Sequence, residues 1–244
     1  MKVKYYIENY GNRIYYTLHK TKRKTIGIIV DKNGEVKVHA PFCASEKQVC
    51  EAVKKKADWI IKKVNEVTER NLNVECRQFV SGEKFLYLGK EYTLEIVEKD
   101  LSKSEVLILE DTMAVYISKG LYAESRKQAI KEALIKWYRQ RFSEIVSQRM
   151  EKYSLQVKAT PCKVVVKDQK TLWGSCSQRG NINLNWRLVM APLPVIDYVI
   201  VHELCHLKVM NHSKSYWNLV ESIIPDYRKM RGWLKKNGNR LTIC

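Results

Sequence analysis

The sequence predicts an α+β fold in which a strand-rich N-terminal part precedes a helix-rich C-terminal part. Residues 33 and 34 are Asn-Gly, a strong β-hairpin signal, and apolar runs flank them. Apolar residues also recur at helical spacing over 49–64 and again over 130–146. Strand signals dominate before Gly120 and helical signals dominate after it. The sequence therefore predicts two subdomains, 1–120 and 121–244.

The elements follow in order along the chain. The first subdomain is predicted to begin with three strands, at 13–18, 25–30 and 35–39. One amphipathic helix follows over 45–64, with Ser45 as its N-cap, and further short strands are predicted within 82–117. The second subdomain begins with a long helix from Ser125, whose apolar stripe we interpret as a wall of the core. A strand, a turn and a second strand are then predicted at 162–166, 173–177 and 181–187.

Composition excludes several protein classes. The 244 residues are 45% hydrophobic, enough for one large domain or two small ones, and only ten are Gly and five Pro, which excludes collagen-like and low-complexity chains. No charge-free apolar run reaches the roughly 18 residues that a membrane helix needs. The seven Cys form no C-x-x-C pair, and the N-terminus has no visible export signal. We therefore expect a soluble cytoplasmic protein that does not contact a membrane.

The charge balance points to polyanions. Lys and Arg number 44 against 26 Asp and Glu, which gives a net charge of +18. Such a surplus creates a positive field that favours nucleic acid or nucleotides as partners. The basic residues are spread along the chain, however, so a solvated lysine-rich surface is the alternative.

A histidine cluster carries the chemistry. Three of the five His lie within residues 202–212, and two of them form the H-E-x-x-H segment from His202 to His206. On a helix, His202 and His206 project from one face, as two ligands of a single Zn²⁺ would. Glu203 lies one step round the helix, where it can reach a metal-bound water as a general base. Because apolar residues surround the segment, unpaired polar groups there would be costly to bury.

The third metal ligand has two candidates. A catalytic zinc usually has three protein ligands and one open position. His212 and Glu221 follow His206 by six and fifteen residues. His212 is favoured if Asn211 ends the helix and turns the chain back towards the metal.

The strand predicted at 181–187 is the candidate substrate strand. Asn181, Asn183 and Asn185 alternate with apolar residues, so one face of this strand is polar. We expect the strand to pair with an extended substrate, with Asn183 contacting it; an ordinary half-buried strand is the alternative. Asn185, Arg187 and Tyr216 are candidates to bind the substrate and stabilise its oxyanion.

These motifs resemble a known family. His202–Leu207, with Asn211-His212-Ser213 and Tyr216-Trp217, is similar to the YgjP-like family of predicted zinc metallopeptidases, and is related in pattern to the WLM and SprT-type proteases. Trp173-Gly174-Ser175-Cys176-Ser177 resembles the preceding block of that family. The resemblance implies a zincin-like fold with an HExxH active-site helix, in which His202, His206 and His212 hold zinc and Glu203 activates a zinc-bound water. The implied substrate is a peptide or protein.

Two alternatives stay open at this point. YgjP-like members have also been described as nucleoside triphosphate pyrophosphatases acting on UTP, and a +18 surface suits a triphosphate. The chain could instead be a zinc-stabilised, non-catalytic adaptor that binds nucleic acid, in which Glu203 would be structural. Fold and metal alone do not decide between these functions.

Overall fold

A computed structural model describes residues 4–9, 11–31, 33–72, 77–169 and 171–243. The chain divides into two compact units, Met1–Glu75 and Cys76–Cys244. Each unit has its own hydrophobic core. Among the described residues, no helix combines the length and apolar character that crossing a bilayer requires.

The first unit is built on a four-stranded sheet. Its strands are β1 (Lys4–Asn9), β2 (Asn12–Thr21), β3 (Gly27–Val30) and β4 (Val36–Pro41). The order is β1-β2-β4-β3, with β2 and β4 parallel and the outer pairs antiparallel. The predicted hairpin at Asn33-Gly34 is confirmed as the β3–β4 connection. Gly34 takes the left-handed backbone (φ +81°) that the turn needs.

Two helices pack in the core of this unit rather than the single one predicted. They are α1 (Glu46–Lys55) and α2 (Ala57–Leu72). The predicted N-cap is confirmed, because Ser45 and Gln48 form a reciprocal capping box. The expected single helix is wrong: Lys56 leaves the helical region (φ −111°, ψ 10°) and divides it. Four of the predicted apolar positions are buried, whereas two are only half-buried: Val49, Val53, Ala57 and Ile60 against Ile61 and Val64.

The second unit begins with a sheet of the same topology. Its strands are β5 (Lys84–Tyr87), β6 (Lys90–Lys99), β7 (Glu105–Leu109) and β8 (Thr112–Ser118). The order is β5-β6-β8-β7, again with a parallel central pair between two antiparallel hairpins. The two sheets thus repeat one arrangement within the chain.

The long helix predicted from Ser125 is α3 (Ala123–Val157), and its interpretation as a core wall is confirmed. Its buried face packs on the second sheet and on the C-terminal helices. That face includes Ile130, Leu134, Tyr138 and Phe142, each at most 1% exposed. Because β5–β8 and α3 share this core, the compact units divide at residues 75 and 76, whereas the predicted boundary lies at Gly120.

A small three-stranded sheet precedes the C-terminal helices. It consists of β9 (Lys163–Lys167), β10 (Gly174–Cys176) and β11 (Asn181–Asn185), in the order β10-β11-β9. The predicted substrate strand is β11, and this interpretation is wrong. Since β11 pairs with β10 on one side and β9 on the other, neither of its edges can accept a further strand. A 3₁₀ turn and three helices follow: Trp186–Met190, α4 (Leu193–Cys205), α5 (Lys214–Ile223) and α6 (Tyr227–Asn237).

Candidate metal centre

The H-E-x-x-H segment lies at the C-terminal end of α4. Pro192 precedes the first helical residue, a position that suits proline because its missing N–H is not needed there. Most of the helix is buried, and Ile196, Ile200 and Leu204 are completely so. His202 and Glu203 occupy its last turn, and His206 is the C-cap with helical backbone angles. The apolar sequence around the motif therefore fixes it inside the second unit.

The chain turns back directly after the motif. The Leu207 N–H donates to the carbonyl of Leu204 at 3.0 Å, and a turn replaces the helix. The expectation that Asn211 ends the helix is wrong, because α4 ends at Cys205. The Asn211 side chain instead accepts a hydrogen bond from the Ser213 N–H at 3.2 Å, and Ser213 caps α5. The reversal brings His212 back to the end of α4.

Three imidazoles meet at this point. Ring nitrogens of His202, His206 and His212 all lie within 4.8 Å of one another. The Nε2 atoms of His202 and His212 are 3.2 Å apart. Two nitrogens bound tetrahedrally at about 2.0–2.1 Å from one zinc would be about 3.3 Å apart, so the spacing fits a shared metal. Glu221, the other candidate ligand, is outside this group and contacts Arg228 at 2.6 Å.

Hydrogen bonds fix the orientation of His206. Its Nδ1–H donates to the carbonyl of Val209 at 3.1 Å, since a carbonyl oxygen can only accept. The lone pair of His206 is therefore on Nε2, the arrangement that metal-binding histidines commonly show. The ring of Tyr216 stacks on the His206 imidazole, with centroids 4.5 Å apart and planes at 25°.

An aromatic stack supports His212, the exposed member of the cluster. Its imidazole stacks on Trp217 at 5.5 Å and 23°. Trp217 in turn stacks on Tyr227 of α6 at 5.2 Å and 13°. The sequence alone predicts no role for Trp217 or Tyr227. One sequence signal could have pointed to Trp217: it follows His212 closely, in the first turn of a helix that Ser213 caps.

Burial keeps the histidines neutral. Desolvation, with smaller contributions from His206 and His212, lowers the pKa of His202 to about 3. Burial also lowers the pKa of His206. At neutral pH both rings are therefore uncharged, which is the form that binds a metal ion.

Glu203 is a buried acid beside the cluster. Its residue is 4% exposed, and burial raises the pKa of its carboxyl to about 8. Among the residues that the structure describes, none donates a hydrogen bond to this carboxylate. Buried carboxyls with a raised pKa are common among catalytic acids and bases.

The two asparagines proposed to contact substrate differ in surroundings. Asn185 is 3% exposed, and its amide group donates to the carbonyls of Gln169 and Leu172 at 2.8 and 3.0 Å. Its side-chain oxygen accepts from the Arg187 N–H at 3.2 Å. Both of its amide hydrogens are thus engaged within the protein. Asn183 is half-buried and donates to the hydroxyl of Ser175 on β10 at 3.1 Å.

Arg187 and Tyr216 also have partners within the protein. Arg187 lies in the 3₁₀ turn, not on β11; its guanidinium forms an ion pair with Asp168 and lies over the Trp186 ring at 4.9 Å. Tyr216 is fully buried, and its hydroxyl donates to the carbonyl of His202 at 2.8 Å. The structure brings Tyr216 to the histidine cluster as a support, and its hydroxyl is occupied there.

Comparison with known families agrees with the geometry. The model of the YgjP-like metallopeptidase domain matches residues 24–237. The chain belongs to this family. Membership makes this YgjP-like protein a metallopeptidase, a class that hydrolyses peptide bonds with the help of a metal ion.

Other comparisons give little more. No curated protein matches this YgjP-like chain. Among solved structures, the metallopeptidase zymogen of Pyrococcus abyssi abylysin matches at 24% identity, with a TM-score of 0.34. That match covers 37% of this chain and 93% of the other.

Proposed function

We propose that this YgjP-like protein is a zinc-dependent peptidase in which His202, His206 and His212 hold the metal and Glu203 is the general base. One observation carries the proposal: three imidazoles converge within 4.8 Å, and a buried carboxylate directly follows one of them in the last turn of α4. Family membership supports the peptidase class, and the donor set supports zinc, which favours three nitrogen ligands in catalytic sites.

Zinc bound to these imidazoles would supply a Lewis acid that activates water and polarises the substrate carbonyl. Glu203 accepts the proton that the attacking water loses, and then passes it to the leaving amine nitrogen. Burial raises the pKa of the free Glu203 carboxyl to about 8, whereas a neighbouring dication favours its ionised form. The base is therefore ionised when the metal is bound and holds its proton readily once the water has given it up.

We further propose that the substrate pairs with β10. Among the strands that the structure describes, β10 pairs with β11 alone. The Trp173 carbonyl accepts from the Asn185 N–H, and the Ser177 N–H donates to the Asn181 carbonyl, at 2.8 and 2.9 Å. Because hydrogen-bonded positions alternate in an antiparallel pair, the backbone groups of Gly174 and Cys176 point to the other edge. An extended peptide added there would run beside Glu203.

Metal analysis and turnover of matched variants test the proposal. We expect purified protein to bind one zinc ion per chain and to cleave fluorescein-labelled casein. Glu203→Gln should keep the zinc and lose at least about 100-fold in kcat, the effect typical of losing a general base. Glu221→Gln is the matched control and should keep both properties. Full activity in Glu203→Gln, or no stoichiometric metal in active protein, would contradict the proposal.

The same preparations test the alternative activities. Incubation with UTP, followed by assay of released pyrophosphate, measures the nucleotide pyrophosphatase activity directly. A salt titration of DNA binding tests the non-catalytic adaptor, since phosphate contacts produce a steep salt dependence. We expect casein cleavage without pyrophosphate release.

A further inference from the structure

Gly174, in the Trp-Gly-Ser-Cys segment, lies directly against the side chain of Glu203. A Cβ atom on Gly174 would be 2.5 Å from Oε1 of Glu203, 2.7 Å from Cγ and 2.9 Å from Cδ. Real Cβ atoms essentially never approach other heavy atoms this closely. The space in which the carboxylate lies therefore exists only because residue 174 has no side chain.

Space, not backbone conformation, is what requires glycine here. Gly174 is the first residue of β10 and does not take the left-handed backbone seen at Gly34 or Gly180. Alanine would fit the local backbone without strain. The three atoms that a methyl group at this position would meet first all belong to Glu203, so we expect its effect to act through that side chain.

The surrounding structure gives β10 little freedom to move away. The strand is hydrogen-bonded to β11 in register, with Gly174 opposite Leu184. Trp173, the preceding residue, packs tightly against Gly238: a Cβ on Gly238 would be 2.9 Å from Cζ2 of the indole. Because the pairing with β11 and the packing of Trp173 hold the strand in place, a methyl group on Gly174 must displace the Glu203 side chain.

Glu203 itself has no other fixed partner. Within the described part of the chain, no side chain or backbone N–H donates a hydrogen bond to its carboxylate. With no hydrogen bond to hold it, the carboxylate takes its position from steric packing, and Gly174 of β10 is in direct contact with it. A group held by contact alone moves when the contacting volume changes, and a misplacement of about 1 Å can cost roughly 100-fold in rate.

We infer that Gly174 is a positioning residue, which seats the Glu203 carboxylate against β10 so that it faces the open side of the histidine cluster. The inference rests on the proposed role of Glu203 as the base. Neither the proposed metal ligands nor the family match gives the glycine of the Trp-Gly-Ser-Cys segment this role. The backbone N–H and C=O of Gly174 point away from β11, so the contact with Glu203 leaves them available for pairing at the edge of the strand.

Kinetics of Gly174→Ala test the role. We expect kcat on fluorescein-labelled casein to fall about 100-fold and KM to change less than threefold. One zinc per chain should remain, because no histidine of the cluster is among the atoms nearest to the added methyl group. Gly232→Ala is the matched control, since a Cβ there meets nothing within 4 Å, and it should keep wild-type kinetics. Wild-type kcat in Gly174→Ala, or loss of its zinc, would overturn the inference.

Thermal unfolding tests the contact without using activity. Gly174→Ala should lower the Tm of the wild-type protein but not that of Glu203→Ala, from which Cγ, Cδ and both carboxylate oxygens are absent. An equal loss of Tm in both backgrounds would overturn the inference, because the methyl group would then clash with something else. If Glu203→Gln keeps full activity, the proposed base is wrong, whereas this unfolding cycle still reports on the contact.

Discussion

The hydroxyl of Tyr216 donates a hydrogen bond to the backbone carbonyl of His202 at 2.8 Å, which ties α5 to the last turn of α4. The ring of the same residue stacks on His206. One side chain thus holds the backbone of one cluster histidine and the imidazole of another. We therefore expect Tyr216 to act on the proposed metal centre by placing two of its ligands, and not by contacting the substrate.

Tyr216→Phe separates these two roles. The change leaves the ring stacked on His206 but deprives a buried carbonyl of its donor, so we expect the free energy of unfolding to fall by about 1–3 kcal/mol. Urea denaturation of the metal-free protein measures this loss. If Tyr216 instead stabilises an oxyanion, kcat would fall by a factor of about 100 or more while stability stayed constant.

His212→Ala should release the metal. His212 is the exposed member of the cluster and its Nε2 lies 3.2 Å from that of His202. We expect zinc affinity to fall by more than the roughly 10–100-fold that loss of an outer hydrogen-bond partner costs. Competition with a fluorescent chelator gives the dissociation constants. Glu221→Ala, on the helix that follows His212, is the control; equal zinc loss in both variants would argue against His212 as the third ligand.

The stability of the metal-free protein should depend on pH through Glu203. Its pKa is about 8 in the folded protein against an ordinary 4.5, so between these pH values the folded state holds a proton that the unfolded chain has released. The contribution of the protonated carboxyl to the free energy of unfolding is therefore fully present below pH 4.5. It is lost as the pH rises to 8, at up to about 1.4 kcal/mol per pH unit.

Glu203→Gln cannot ionise and therefore avoids this loss. We expect the variant to match the wild-type protein near pH 4 and to be more stable by a few kcal/mol at pH 8. Urea denaturation across this range, with the surface variant Glu221→Gln as control, provides the comparison. A stability difference that stays flat with pH would mean that Glu203 is not buried in its acid form.

The sequence predicts the histidine cluster because its signal is local. The four-residue spacing of His202 and His206 fixes their relation on any helix, and the apolar neighbours predict its burial. His212 was favoured through a wrong local reason, since the helix ends at Cys205 and not at Asn211. His212 nevertheless lies in the cluster, because a turn after Cys205 brings the chain back to the end of α4.

What the sequence could not reveal depends on contacts between distant segments. β11 looks like a half-exposed strand by its alternating pattern, yet its pairing with both β9 and β10 removes its edges. Gly174 precedes Glu203 by many residues, and no periodicity connects them. The repeated sheet topology is likewise invisible, because hairpin pairing depends on turn placement rather than on shared residues.

Asn185 and Asn183 provide a final matched pair. Both alternate along the same polar face in sequence, but only Asn185 is buried, with its amide donating to the carbonyls of Gln169 and Leu172. We expect Asn185→Ala to lower the free energy of unfolding by about 2 kcal/mol or more, because the buried amide makes three hydrogen bonds that are lost together. Asn183→Ala breaks one half-exposed bond to Ser175 and should cost less than about 1 kcal/mol. If the two variants were equally stable and KM rose for Asn185→Ala alone, the result would support the predicted contact between Asn185 and the substrate.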